Sequence, residues 1–497
     1  MGVSTVIELS ATRHDRCAGG LHHFHHLRLG VCPGNRRERV NRRGQNAGGL
    51  IECAMAKTFR AWTPEQAMLF PPSVLDLVPP GHLAHFVRDT VLEDLNLSAI
   101  LDTYAEERGY PPYHPVMMTA LLLYSYCQGL YSSRRMARAC EERVDLMAVT
   151  GMQHPDFRTI NTFRQRHLAA LQGLFVQVLQ LCQRAGLVTL GHVALDGTKI
   201  QANASKHKAM SYGRMQKAEP ELQAEVARWL KTAEAVDARE DAEFGPERRG
   251  DELPSWVANK QERLQRIRAA KAALEAEAQA AEVAKRAAAG PRPPGAKRGP
   301  KFKRPPGTPS DKAQYNFTDP ESRLMKRGDG FLQGYNAQAA VDSAHQIIVA
   351  QHLTTNASDV HELLPLLDAV KGTFGRQPTE ISADAGYCSE SNLQALRRRR
   401  IRGYVATGRQ KHGQSAATQA QATPDRPAVT AMRVRLQRAG RRSRYRLRKQ
   451  IVEPVFGVIK HARHFRQFLL RGVRQVTGEW SLVATAHNLL KLATART

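Results

Sequence analysis

One short apolar run divides the sequence into two parts with different hydrophobic periods. Residues 190–200, LGHVALDGTKI, have the composition of a buried strand, and Asp196-Gly197 suggests a turn at its end. From about 62 to 190 apolar residues recur every three or four positions, which is the period of helices. Strand-like segments return only near residue 330. The sequence therefore predicts an all-α N-terminal domain and then an α/β core that carries a large helical insertion.

The second part alternates strands and helices. FLQGYNAQAAVD and HQIIVAQHLTT form a candidate hairpin that turns near Asp342-Ser343. A helix at about 359–372, the strand TEISADAGY (379–387), a helix at about 389–399 and the strand RGYVAT follow. Residues 408–444 are polar and basic, which predicts a loop or insertion before two closing helices. This order predicts a sheet with helices packed on it.

Changes in composition suggest the domain boundaries. Residues 1–54 have weak apolar periodicity, so we expect a disordered or non-native N-terminal extension, with Met55 as the functional start. Four close histidines at 22, 23, 25 and 26 could instead bind a metal. The other expected parts are a helical domain (57–190), an α/β core (191–204 and 330–470), a helical and Pro/Lys-rich insertion (205–329) and a C-terminal helix (471–497).

The charge balance indicates a polyanionic partner. Lys and Arg number 73 against 46 Asp and Glu, which gives a formal net charge of +27. A bound polyanion offsets such self-repulsion, and nucleic acid is the first candidate, with an anionic membrane second. No run of about 18 apolar residues suits a membrane span, and the first 30 residues lack the apolar core of a signal peptide. We therefore expect a cytoplasmic protein with no membrane partner.

Three acidic residues stand where metal-ion chemistry would need them. Asp196 and Asp384 each end a predicted apolar strand, and ligands of open α/β sheets gather at the carboxyl ends of strands. Glu453 lies in a predicted helix, with Lys460 two turns later on the same face. Carboxylates without Cys or His partners suit Mg²⁺ or Mn²⁺, and a pair of such ions can assist phosphodiester cleavage or strand transfer. An acid at a strand end is more often a cap, and spacing alone leaves both interpretations open.

Around these residues the chain resembles a known family. ALDGTKIQANAS (194–205), ISADAGYCSE (381–390) and YRLRKQIVEPVFGVIKHARHF (445–465) are similar to motifs of bacterial DDE insertion-sequence transposases. FRAWTPEQAMLF, GYPPYHPVMM and HPDFRTINTFRQRHL resemble the helical leader domain of the same group. The likeness spans about 57–492 and follows the order of the family.

The resemblance implies a ribonuclease H-like catalytic core. In that core Asp196, Asp384 and Glu453 match the three catalytic acids that bind metal, which implies two Mg²⁺ or Mn²⁺ ions as cofactors. It further implies a DNA transposase that binds the terminal inverted repeats of a mobile element, cuts double-stranded DNA and joins the end to target DNA. Such an enzyme would act as a homodimer on DNA and associate with the nucleoid. A DNA endonuclease without strand transfer and an inactive DNA-binding relative are the alternatives.

The resemblance also suggests DNA contacts near the glutamate. Tyr445, Arg448 and Lys460 match positions that hold the DNA backbone. Some related transposases have the arginine one residue nearer the glutamate, where Lys449 stands in this chain, so the sequence leaves open whether Arg448 or Lys449 makes that contact.

Arginines of the helical domain are further candidates for phosphate contacts. Arg134, Arg135 and Arg138 fall near one face of a predicted helix, and Arg164 and Arg166 do so less cleanly. An ordinary solvated helix face explains the same pattern, so the sequence supports either interpretation.

Overall fold

The computed structural model describes residues 73–104, 111–244, 255–289, 305–327, 330–408 and 426–496. All of them belong to one compact unit, Met55–Thr497. The expected N-terminal extension at 1–54 and the Pro/Lys-rich part of the insertion at 290–304 lie outside the described residues.

The N-terminal part is helical, as predicted. Its described α-helices are α1 (Leu83–Asp89), α2 (Ser98–Leu101), α3 (Pro115–Cys127), α4 (Ser133–Glu142), α5 (Val144–Thr150), α6 (Phe157–Arg166) and α7 (Leu168–Arg184). A proline suits the first position of a helix, and α3 begins at Pro115 after the side chain of His114 caps the amide of Val116 at 3.3 Å. Every residue of α3 except Val116 is buried, so this helix lies at the centre of the helical part.

A mixed sheet follows the helices. The described strands are β1 (His192–Gln201), β2 (Ala209–Ser211), β3 (Gln314–Asn316), β4 (Arg323–Arg327), β5 (Gly330–Asp342), β6 (Ile348–Thr354), β7 (Glu380–Ala383) and β8 (Arg402–Val405). Six of them form one sheet in the order β4-β5-β1-β7-β8, with β6 also paired to β5, and β2 pairs with β3 separately. β1 is antiparallel to β5 and parallel to β7. The hairpin of β5 and β6 is present as predicted, while β4 joins the sheet before residue 330, where the core was expected to resume.

Seven more helices complete the described chain. They are α8 (Tyr212–Phe244), α9 (Ser255–Ala289), α10 (Leu363–Phe374), α11 (Glu390–Arg398), α12 (Pro427–Ala439), α13 (Leu447–Gly457) and α14 (Val473–Arg496). α12 lies within 408–444, where a loop or insertion was predicted and no helix was expected; residues 409–425 of that segment lie outside the described residues. The carboxylate of Glu390, which is distant in sequence, accepts the first amides of α12 from Ala428 at 2.8 Å and Val429 at 3.1 Å. This cap comes from tertiary structure, and local sequence does not contain it.

The insertion forms a two-helix arm. α8 and α9 pack together around a small core of their own, which consists of Tyr212, Met215, Ile267, Ala270 and Leu274. The pairing is antiparallel: the Tyr212 hydroxyl at the start of α8 donates to Glu275 at 2.7 Å, whereas Glu225 further along α8 pairs with Lys260 near the start of α9. Throughout the described residues, no helix is both long and apolar enough to cross a membrane.

α14 joins the helical part to the sheet. It packs against α3 and α7 on one side and against β6 on the other. Trp480 of α14 is fully buried, and its indole N–H donates to the carbonyl of Gln338 in β5 at 3.2 Å. The buried apolar residues of both parts consequently form one continuous core. The expected boundary near 190 separates two types of secondary structure that share this core.

Candidate active site

Two acidic residues lie side by side at the centre of the sheet. The parallel pairing of β1 with β7 ends where Leu195 faces Ala383. The next residues are Asp196, still on β1, and Asp384, which follows β7. Since neighbouring strands lie about 4.8 Å apart, the two carboxylates occupy adjoining positions. The parallel topology therefore brings together two residues that are far apart in the sequence.

The two positions differ in their local backbone. Asp384 follows the end of β7 as predicted, and its Oδ1 accepts the amide of Gly386 at 2.9 Å, which caps a short 3₁₀ turn. Asp196 was expected at a strand end, but β1 continues to Gln201. β5 explains the difference, because it pairs with β1 as far as Gln201 after β7 has ended. Asp196 thus lies within a strand, at the point where its parallel neighbour stops.

Burial and crowding of negative charge affect both carboxyls. Burial raises the pKa of Asp196 to about 7, and the charge of Arg448 opposes this rise. Burial also raises the pKa of Asp384, and the nearby carboxylate of Asp359 raises it further. Carboxylates that are buried together are stabilised by a neighbouring cation. The surroundings of Asp196 and Asp384 therefore favour the binding of positive charge.

Arg448 connects the strand carboxylate with the helix carboxylate. It lies in the first turn of α13 and donates to Asp196 Oδ2 at 2.7 Å and to Glu453 Oε1 at 3.2 Å. The side chain of Glu453 is 45% exposed, whereas that of Asp196 is largely covered. The structure thus gathers Asp196, Asp384 and Glu453 at one location, with a guanidinium between the first and the last.

The other residues predicted near the glutamate lie around this location. Tyr445 is half-buried, and burial raises the pKa of its hydroxyl. Lys449 is exposed, while its neighbour Arg448 points to the carboxylates. Lys460 donates to the hydroxyl of Thr198, and burial lowers the pKa of its ammonium to about 8. Lys460 therefore lies against the part of β1 that extends beyond Asp196.

The two arginines predicted on the helical domain have different surroundings. Arg164 is only 3% exposed and donates to the carbonyl of Tyr131 and to Asn161 Oδ1, both at 3.0 Å. This position corrects the prediction, because a buried guanidinium with internal partners cannot reach a phosphate. Arg166 is exposed and its guanidinium lies 5.1 Å from the ring centre of Tyr104, so it remains accessible.

A fourth acid near the site was missed from the sequence. Asp359 follows β6, and its Oδ1 accepts side-chain N–H groups from Asn336 and Gln338, each at 2.7 Å. A Cβ added to Gly197 would come within 2.7 Å of that oxygen, and one added to Gly386 would lie 2.9 Å from Oδ2. Both glycines therefore accommodate Asp359. Asp359 lies in a polar loop after a hairpin and does not directly follow an apolar strand, so the pattern of an apolar run that ends in an acid does not identify it.

The oxygen atoms of the three carboxylates suit a hard cation, although the side chains are not arranged as a complete set of metal ligands. Asp196, Asp384 and Glu453 offer only oxygen atoms, which Mg²⁺ and Mn²⁺ prefer. Within the described ranges, no three acidic, His or Cys side chains already stand close enough to hold a metal ion. Arg448 explains this, because its guanidinium lies between Asp196 and Glu453. A cation bound by both would take over the charge balance that Arg448 now supplies.

Comparison with known families identifies two regions. Residues 72–166 match a family described as a transposase domain of the DUF772 group, and residues 305–489 match the transposase DDE domain. The first region covers most of the helical part, and the second includes Asp384 and Glu453. β1 with Asp196 lies between the two. No curated protein and no solved structure was found to match the chain.

The two matches follow each other in the order seen in the structure, first the helical region and then the sheet with its closing helices. The adjoining carboxylates lie in the sheet, and the sequence motifs around them led to the same family. The chain belongs to the DDE transposases of insertion sequences.

Proposed function

We propose that this transposase binds the terminal inverted repeats of its mobile element and catalyses metal-dependent cleavage and strand transfer with Asp196, Asp384 and Glu453. The observation that carries the proposal is the meeting of these residues: Asp196 and Asp384 adjoin where β1 and β7 stop pairing, and Glu453 is linked to Asp196 through Arg448. The mixed sheet with helices on it supports a ribonuclease H-like core.

The three carboxylates would hold Mg²⁺ or Mn²⁺, in our proposal two ions. When bound, such ions would lower the pKa of the attacking hydroxyl or water and balance the charge of the leaving oxygen. Asp196 and Asp384 supply fixed oxygens from the sheet, whereas the more exposed Glu453 closes the site from the helix. This division follows from their burial, since the side chain of Asp196 is largely covered and Asp384 is half-buried, whereas Glu453 borders solvent.

Basic side chains around the carboxylates would orient the DNA. Lys449 is exposed beside Arg448, and Lys460 lies against β1 beyond Asp196. Without metal, Arg448 already bonds two of the acids and balances their charge, so we assign the phosphate contact to the exposed Lys449. Tyr445 would pack against the sugar–phosphate backbone. In-line attack on a phosphodiester depends on such positioning and on charge neutralisation.

The helical part would recognise the ends of the mobile element, with Arg166 among its phosphate contacts. Two ends have to be cut and joined together, so we propose a homodimer on DNA that acts in the cytoplasm at the nucleoid. The net charge of +27 supports a polyanionic partner.

A cleavage and joining assay tests the proposal. The full chain is incubated with labelled DNA that carries the ends of its mobile element, in Mg²⁺ and in EDTA. The variants are Asp196→Asn and the matched control Asp368→Asn, which changes an exposed acid of α10. We expect metal-dependent cutting and joined product in the wild type and the control, and neither in Asp196→Asn, with end binding retained.

Other results would favour the alternatives. Cutting that never yields joined molecules would indicate an endonuclease, and end binding without cutting in any metal would indicate an inactive relative. Cutting that survives Asp196→Asn would refute the assigned carboxylates.

A further inference from the structure

A groove of about 620 Å³ lies at the far end of β1, the strand that carries Asp196. Its walls are the end of β1, the residues 203–208 that follow it, the first residues of β5, and Gln467 with Arg471. Lys206, Lys208 and Arg471 contribute permanent positive charge, and no acid lines the groove among the described residues. The volume falls in the range of small-ligand sites, and the charge selects an anion.

The register of the sheet relates this groove to Asp196. On β1 and β5, Asp196 faces Ala339 and Ile200 faces Tyr335, and directly paired residues share one face of a sheet. Because side chains alternate along a strand, Gln333 and Phe331 lie on that same face. Both line the groove. Phe331 and Gln333 therefore lie on the same side of the sheet as Asp196, whereas Gln201 and Leu332 line the groove from the other face.

The spacing suits successive nucleotides of one strand. Gln201 lies five residues beyond Asp196 on β1, and Phe331 lies eight residues beyond Ala339 on β5. At a strand rise of 3.3 Å, these separations are about 16 and 26 Å. Lys460 lies between Asp196 and Gln201, where it contacts Thr198 and the carbonyl of Lys199, the latter at 3.3 Å. A chain of phosphates leaving the carboxylates would therefore meet positive charge along the way.

Two features of the groove favour an unpaired base over a duplex. Phe331 is 60% exposed, although a large aromatic ring is ordinarily covered. Its flat ring offers a stacking surface, and a base can stack there only when it has left its own duplex. The second feature is Gln333, which is 4% exposed and whose Oε1 is buried without a hydrogen-bond partner. An unpartnered acceptor beside a stacking surface would bind an amino group on the edge of a base.

We propose that this groove binds an unpaired stretch of the DNA strand that leaves the carboxylate centre. A base stacks on Phe331, Gln333 accepts a hydrogen bond from its edge, and Lys206, Lys208 and Arg471 bind the flanking phosphates. The identification of the ligand as DNA rests on the proposed function. The proposal also assigns DNA binding to the first residues of the insertion, because Lys206 and Lys208 lie at its start, just before β2.

Binding of a short single strand tests this proposal without any cleavage. The probes are a fluorescein-labelled 12-nucleotide thymidine strand, a mixed-sequence single strand of the same length and its duplex, with the full chain in EDTA. Phe331→Ala removes the stacking surface, and Phe331→Trp restores it. Leu77→Ala is the matched control, because Leu77 is also a large exposed apolar side chain at 50% exposure. Phe331 is mostly exposed, so its replacement does not threaten the fold.

We expect Phe331→Ala to weaken single-strand binding roughly 5- to 150-fold, with duplex binding changed less than about twofold. Phe331→Trp and Leu77→Ala should bind single strands like the wild type. An unchanged affinity in Phe331→Ala, or an equal loss on duplex and single strand, would overturn the proposal. A wild type that fails to bind either single strand would overturn it as well.

Salt dependence tests the phosphate contacts. Replacing both Lys206 and Lys208 by Ala should lower the slope of log affinity against log salt by about 1.4, since each single-strand phosphate contact contributes about 0.7. Lys371→Ala, at an exposed position in α10, should leave the slope unchanged. An unaltered slope in the double variant would remove these lysines from the groove's function.

Experiments can refute the proposed function and the single-strand groove independently of each other. A chain that binds single strands through Phe331 yet never cuts DNA would retain the groove and refute the proposed function. A chain that cuts and joins DNA but binds single strands independently of Phe331 would refute the groove alone.

Discussion

Replacing Arg164 by alanine should destabilise the protein without changing a DNA contact. Arg164 is buried in α6 and donates to the hydroxyl of Tyr126 at 3.3 Å and to the carbonyl of Tyr131 at 3.0 Å. Its charge also lies near the fully buried carboxylate of Glu479, whose pKa burial raises and Arg164 lowers. A surface arginine that binds phosphate would have none of these internal partners.

The expected magnitude follows from the groups that lose a partner. Alanine leaves the carbonyl of Tyr131 without its charged donor, and a hydrogen bond to a charged group contributes about 1.5–3 kcal/mol. It also removes a positive charge near Glu479, but that carboxylate keeps the amides of Leu469 and Leu470 as donors, so this effect is the smaller one. We therefore expect a loss of about 1.5–3 kcal/mol in the free energy of unfolding.

Arg166→Ala is the matched control, only two residues away. Arg166 is exposed and donates one hydrogen bond, to the carbonyl of Thr103 at 3.0 Å. Its removal should cost less than about 1 kcal/mol, while weakening DNA binding. Urea denaturation followed by circular dichroism gives both unfolding free energies, and fluorescence anisotropy with element-end DNA gives the affinities. An Arg164→Ala variant that is as stable as the wild type but binds DNA more weakly would refute the reasoning.

Two further predictions concern pH and packing. Burial lowers the pKa of His487 to about 3. Between pH 6.5 and 3 the unfolded chain takes up this proton and the folded chain does not, so the free energy of unfolding decreases as the pH is lowered. Between pH 7 and 5 His487 alone contributes a loss of about 2 kcal/mol. Urea denaturation of the wild type and of His487→Gln at both pH values should show it as a difference of that size between the two chains, because titrations with the opposite sign, such as that of Asp196, are common to both. Gly197→Ala would press a Cβ against Gln338 and Asp359 and should cost about 1–3 kcal/mol. Gly173→Ala, in open space on α7, should cost nothing, and equal stability of the two variants would contradict this argument.

The fold was predictable wherever hydrophobic period and local chemistry agree. The helical period before residue 190 and the hairpin around Asp342 both appear in the structure as predicted. α12 was missed because its first amides are capped by Glu390 from another helix. The position of Asp196 was predicted only in part, since the length of β1 depends on β5, which lies more than 100 residues later. Contacts between distant segments determined what the local pattern could not.

The candidate site divides in the same way. Apolar runs followed by an acid identified Asp196 and Asp384, and the parallel pairing of their strands brings them together. Asp359 escaped notice because its partners are amides that only the folded sheet presents. Arg164 was misassigned because burial of a charged side chain has no signature in a helical pattern. In each case the sequence carries the residue type, and the surrounding structure decides its role.

The position of α14 has a consequence for how the chain folds during synthesis. α3 and α7 bury part of their surface against this helix, yet the ribosome makes α14 almost 300 residues after α7 ends at Arg184. At a synthesis rate of about 5–20 residues per second, α3 and α7 exist for roughly 15 to 60 seconds before α14 is available to pack against them. During that time its apolar faces are open to chaperones and to other nascent chains. The supply of folded transposase therefore depends on how quickly the last helix follows the first seven.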